Sequence, residues 1–109
     1  MKKAILSAEL ASNLSDKSGV QVFDVRLAED REPVNHEVPG ASWRDPKDID
    51  AWADDVDPNR PVVVFCVHGL RVSQGVRNVL EEKGFDASIL EGGIDAWQEY
   101  AGNSTAAVR

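Results

Sequence analysis

The stretch that decides the fold is Pro61-Val62-Val63-Val64-Phe65-Cys66-Val67-His68-Gly69-Leu70-Arg71-Val72-Ser73-Gln74-Gly75-Val76. Val62–Phe65 is a run of four apolar residues after a proline, the pattern of a strand buried on both faces, as in a parallel sheet. Beyond the loop, Val72, Val76, Val79 and Leu80 recur at i, i+4, i+7 and i+8, the apolar stripe of a helix that Gly84 would end. Working outward, Val20–Val25 and Ala87–Leu90 read as further strands, and Gly40–Trp43 as a short one. A helix is expected to open at Asp45 or Pro46 and run through Ile49, Trp52 and Ala53, closing before Pro58. Ser7 would cap an N-terminal helix carrying Leu10 and Leu14, with Glu9 in its first turn and Gly19 at its end. Gly92-Gly93 reads as a turn with unusual backbone angles, leading into a last short helix with Ile94 and Trp97. Trp52 and Trp97, both at helical spacing, are assigned to the core. Strands alternating with helices imply right-handed crossovers, and therefore an α/β fold with a mainly parallel sheet and helices on both faces.

Composition narrows the function. The 109 residues are 42% hydrophobic and 28% charged, enough apolar material for one domain but not two. The expected domain spans 1–100, with 101–109 a flexible tail. A net charge of −7 argues against nucleic acid and anionic membrane surfaces as partners. The apolar start of the chain is broken at Glu9, Asn13 and Asp16, well short of a signal sequence or a membrane span. The single cysteine permits no internal disulfide, so a cytoplasmic setting is expected. The acidic run Asp48, Asp50, Asp54, Asp55 and Asp57 reads as a solvated face, and no metal or organic cofactor is expected.

Cys66 is where chemistry is expected. It ends the best strand and leads into a helix N-terminus, where free backbone N–H groups and the helix dipole favour an anion. Arg71 and His68 add positive charge, and Gly69 lets successive amides turn inward around a negative atom. His68, with no carboxylate in its local sequence to orient it, would act beside the sulfur through a hydrogen bond or charge, while His36 is read as a loop residue. A lone cysteine at a strand end is commonly inert packing, and the loop that follows is what argues otherwise.

Val22-Phe23-Asp24-Val25-Arg26, then Val38-Pro39-Gly40-Ala41, then Cys66-x-x-Gly69-x-Arg71, then Leu90-Glu91-Gly92-Gly93-Ile94-Asp95-Ala96-Trp97 together resemble a single-domain rhodanese. Trp43-Arg44-Asp45-Pro46 and Cys66-Val67-His68-Gly69 further resemble rhodanese domains associated with chromate-resistance proteins. The resemblance implies a three-layer α/β sandwich and a sulfurtransferase that carries sulfur as a persulfide on Cys66. It implies that residues Val67, His68, Gly69, Leu70 and Arg71 cradle that sulfur, and that Asp24 is structural support. From their places at strand ends, Arg26 is a further anion-binding candidate and Arg44 either a second one or a solvated surface residue. The partners would be a small sulfur donor such as thiosulfate and an acceptor: cyanide, a thiol or a sulfur-accepting protein. The pattern is not followed everywhere. Glu37 stands where a histidine is common in the family, the 26–39 loop is about two residues long for it, and Val72 separates Arg71 from Ser73.

Two other functions compete. A phosphatase or arsenate reductase also uses a cysteine in an anion-binding loop, but generally with arginine six residues on. Position 72 is valine, and a loop closed at Arg71 suits one sulfur atom better than a tetrahedral oxyanion. A non-enzymatic binding module would be expected to lack the cysteine.

Overall fold

A computed structural model describes residues 4–15, 19–27, 38, 40–66 and 71–108. Five strands form one sheet: β1 (Ala4–Ile5), β2 (Gln21–Asp24), β3 (Ser42–Trp43), β4 (Val62–Phe65) and β5 (Ala87–Leu90). Their order is β1-β5-β4-β2-β3, and every pairing is parallel. The α/β expectation and its parallel sheet hold. The central strand is β4, whose four residues are all buried, as its unbroken apolar run requires.

Side chains alternate across the sheet and build two cores. Val62 and Val64 join Phe23, Val25, Ala87 and Ile89 on one face, where Trp52, Val76 and Leu80 cover them. Val63 and Phe65 point the other way, into a cluster with Ile5, Leu10, Val22, Ile94 and Trp97. The first face is covered by α3 (Arg71–Glu82) and by a composite turn of helix at 46–55, in which α2 (Ile49–Trp52) is flanked by 3-10 turns. The second is covered by α1 (Ser7–Ser15) and α4 (Gly93–Val108). Trp52 and Trp97 are both buried, one in each core.

Three local features differ from the sequence-based expectation. The two-residue β1 is too short to show a period in sequence, and its pairing with β5 alone makes it a strand. Ser7 does not cap α1: the Leu6 carbonyl accepts from the Leu10 N–H, which makes Leu6 the cap residue, and Glu9 reaches back to accept from the Leu6 N–H at 3.0 Å. The backbone of α4 continues helical to Val108 through the segment expected as a tail. Gly102 and Asn103 are weak helix formers, but Ala106 and Ala107 are strong ones, and the sum permits continuation.

Candidate active site

All five strands are parallel, so their carboxyl ends share one edge. Cys66 lies there, one residue past β4, and is 7% exposed. One helix starts against it and another begins five residues further along the chain. The N-terminal residue of α3 is Arg71, and at α4 the Ile94 N–H donates to the Cys66 carbonyl at 2.9 Å. That second contact depends on the glycine pair. Gly92 and Gly93 have φ of +77° and +64°, a region that side chains disfavour. A Cβ on Gly92 would also lie 2.5 Å from the Ala96 Cβ, so nothing larger than glycine fits without movement. The start of α4 is thereby tied to the backbone of the buried Cys66.

Val67, His68, Gly69 and Leu70 lie outside the described residues. Arg71 is exposed and makes no hydrogen bond or ion pair with the described residues, so its guanidinium is available at the edge.

Arg26 has a different place from the one expected. It is 1% exposed, and its guanidinium bonds the Asp24 carboxylate, with Nη2 at 2.7 Å and Nε at 3.0 and 3.1 Å from the two oxygens. Asp24 also accepts from the Arg26 backbone N–H at 3.0 Å, and the guanidinium carbon sits 5.9 Å from the Phe65 ring centre. Phe65 belongs to the α1–α4 core. Arg26 is therefore committed to a buried ion pair on the far face, closed to solvent, and is removed from the anion-binding candidates. Asp24 orders this corner, and Trp43 adds to it by donating from Nε1 to the Arg26 carbonyl at 2.8 Å.

Arg44 extends β3 beside β2, donating its N–H to the Asp24 carbonyl at 2.9 Å. Register places it next to Val25, which in turn neighbours Cys66, so its backbone stands roughly 10 Å from that of the cysteine, two strand spacings away. Its guanidinium carbon lies 5.5 Å from the centre of the Phe23 ring. There it lines a shallow depression with Trp43, Asp48, Trp52 and Asp55. Arg44 shares the sheet face of Cys66 but not its immediate surroundings. Among the described residues no group of three His, Cys, Asp or Glu side chains could hold a metal ion, and no helix is long and apolar enough to cross a membrane.

One feature escaped the sequence. Ser73, in the first turn of α3, is fully buried, and its hydroxyl has no hydrogen-bond partner among the described residues. Its displacement by one residue from the serine common in the family was the only available signal.

The chain is thus an α/β domain with a parallel sheet and a buried cysteine at the sheet's carboxyl edge. The Rhodanese-like domain pattern matches residues 7–100, and the chain belongs to that family. A thiosulfate sulfurtransferase GlpE from Shewanella oneidensis is 32% identical over 95 residues, 86% of this chain and 91% of that protein. The protein of the same name from Pseudoalteromonas translucida is 30% identical over 79 residues, 69% of this chain and 74% of its own. Among solved structures, a rhodanese-like domain protein from Staphylococcus aureus superposes with a TM-score of 0.76 at 32% identity, covering 89% of this chain and 91% of that one. The chain is of the sulfurtransferase-like class.

Proposed function

We propose that the protein transfers sulfane sulfur through a persulfide on Cys66, with thiosulfate or a similar anion as donor. The Cys66 thiolate attacks the outer sulfur of thiosulfate. A new S–S bond forms as the old one breaks, and sulfite leaves with the electron pair. Cyanide or a thiolate then attacks the outer sulfur of the Cys66 persulfide, leaving as thiocyanate or a new persulfide and returning the cysteine as thiolate. The protein's contribution is a fixed electrostatic environment for negative sulfur, since both steps begin and end on a sulfur anion. The observation that supports this reading is the buried Cys66 at the carboxyl end of β4, its carbonyl held by the N–H of Ile94 at the start of α4.

Arg71 is assigned to the donor's oxygens, and the amides of residues 67–71 to the carried sulfur. Arg44, two strands away, would draw anions toward the edge without touching the sulfur. The setting that suits this chemistry is the cytoplasm, where a lone thiol stays reduced.

The test combines three measurements. Thiosulfate should add one sulfur to the mass of the reduced protein, and thiocyanate should accumulate when cyanide is supplied. Cys66→Ser should abolish both while leaving the fold intact, because a hydroxyl of similar size cannot replace a thiolate. An aryl phosphate should be left untouched by the native protein. Efficient hydrolysis of that phosphate with no use of thiosulfate would replace this reading with a phosphatase.

A further inference from the structure

The depression beside Arg44 is built of parts that sulfur chemistry at Cys66 does not use. It encloses about 370 Å³, and Trp43, Ala51 and Trp52 supply its apolar lining. Both indole N–H groups are committed to backbone carbonyls, Trp43 to Arg26 and Trp52 to Asp45. What the two rings offer a visitor is therefore apolar and π surface. Trp52 is held in place by the Phe23 ring, whose centre lies 5.4 Å from its own.

The surround is acidic. Asp45, Asp48 and Asp55 line the depression against a single guanidinium, that of Arg44, which lies over the Phe23 ring. Local structure does not account for the two exposed carboxylates, Asp48 and Asp55. Asp48 holds the N-cap position of α2 and makes no capping bond. Asp55 closes the last 3-10 turn, at the end of the helical segment where the dipole disfavours an anion. Neither side chain has a hydrogen bond or ion pair among the described residues, whereas Asp45 accepts from the Lys47 N–H. Asp50 and Asp54, also exposed, extend the negative charge along the same segment. Aromatic surface enclosed by unpaired carboxylates fits the stem and charged head of a lysine or arginine.

The location narrows the visitor further. A protein interface covers about 800 Å² on each partner, a patch roughly 30 Å across. The backbone of Arg44 stands roughly 10 Å from that of Cys66, so a patch centred on Cys66 reaches the depression. We propose that the depression docks a lysine or arginine side chain from a basic patch on the protein that takes sulfur from Cys66. The acceptor role rests on the proposed function; the docking of a cationic segment does not. The acceptor's thiolate takes the outer sulfur in the step already written, and its cations settle on α2. Donor anion and cationic acceptor thus use separate places on one edge, Arg71 for the first and the aspartates for the second.

The probes are two nonapeptides with a central cysteine, alike except that one carries three lysines and the other three glutamines. Binding is read under reducing conditions by tryptophan fluorescence, since Trp43 and Trp52 line the depression. At low salt the lysine peptide should bind about tenfold more tightly, and the advantage should shrink as salt is raised. Asp48→Asn with Asp55→Asn should weaken it about 3- to 10-fold, the effect of two exposed ion pairs. Ala51→Lys, which places a cation in the depression, should weaken it at least as much. Glu82→Gln with Asp86→Asn removes the same charge at the amino end of the sheet and should leave binding unchanged. In the sulfur-loaded protein, transfer to the lysine peptide should outpace transfer to the glutamine peptide. The Asp48/Asp55 variant should lose that advantage while forming thiocyanate from cyanide at the wild-type rate. Equal affinity for the two peptides would overturn the proposal. So would equal losses from the two pairs of substitutions, which would make the attraction a property of net charge. Selective binding without selective transfer would overturn the acceptor role. Failure of the wild type to gain sulfur from thiosulfate would overturn the proposed function, and the titrations would still judge the docking site.

Discussion

Two arginines follow two adjacent strands at the same edge of the sheet, and they have opposite fates. Arg26, just past β2, is sealed on the α1–α4 face with its guanidinium on Asp24. Arg71, beyond β4, opens α3 with its side chain in solvent and bonded to no described residue. The buried arginine is held because its charge is paired and its donors are used. The exposed one sits at a helix N-terminus, where the dipole disfavours a cation, and no acidic residue shares its first turn. A charge kept in an unfavourable place with nothing local to justify it is better explained by what it meets during turnover. Under the proposed function, the buried pair belongs to the scaffold and the exposed arginine to the donor.

The sharpest way to break the comparison is to unpair the buried arginine. Asp24→Ala removes the carboxylate bonded to the buried Arg26 guanidinium, and should cost about 3–5 kcal/mol in urea unfolding. Adding Arg26→Met in that background should recover most of the loss, since an apolar side chain of similar length needs no partner. If the double variant is no more stable than the single one, Asp24 supports the fold through its other contacts, and the pair is not the unit that matters.

Next in size is the turn that ties α4 to the cysteine. Gly92→Ala combines positive φ with a 2.5 Å approach to the Ala96 Cβ. The expected cost is about 2 kcal/mol. Because this turn positions the Ile94 N–H on the Cys66 carbonyl, sulfur transfer should fall as well, even where the protein remains folded. Loss of stability with full retention of rate would detach α4 from the site.

Arg71→Ala should do the reverse of Asp24→Ala. Stability should stay within about 0.5 kcal/mol, as for other surface substitutions. Use of thiosulfate should drop by about tenfold, the value of a charge-assisted contact to the donor's oxygens. Alkylation of Cys66 by a neutral reagent should change less. Equal losses in both assays would assign Arg71 to the thiolate rather than to the donor.

These contrasts also show where sequence reading reaches and where it stops. β4, β5 and α3 were legible because their residues state their own surroundings: an unbroken apolar run, a β-branched segment, a stripe at helical period. β2 was legible too, trimmed to Gln21–Asp24. Cys66 became a candidate through its place at a strand end together with Gly69, Arg71 and the helix that follows. What stayed hidden was determined by partners distant in sequence or by face. Arg26 and Arg71 look alike as letters after strands. Which face each took depends on strand parity and on Phe65, a residue 39 positions from Arg26. β1 exists only because β5 pairs with it. The burial of Ser73 without a hydrogen-bond partner among the described residues has no sign in the sequence.

The smallest expected effect concerns the third helix that starts at this edge. The N-terminus of α1 follows β1, and here the sequence misplaced the cap by a single residue. Leu6 holds the cap position with its carbonyl on the Leu10 N–H, yet its side chain is 52% exposed and offers no acceptor to the first turn. Half of a capping box is already built, because the Glu9 carboxylate accepts from the Leu6 N–H. Leu6→Ser would supply the missing half, a hydroxyl able to accept from the Glu9 N–H, and would remove an exposed apolar side chain. Stability should rise by about 0.5–1 kcal/mol, read as a higher urea midpoint at unchanged slope. Sulfur transfer should not change, since the helix start bonded to Cys66 is that of α4. A gain in stability with no change in rate would separate helix N-termini that support the fold from those that serve the sulfur. A change in rate would extend the site to β1 and α1, and the division between closed and open arginines would no longer coincide with the division between scaffold and chemistry.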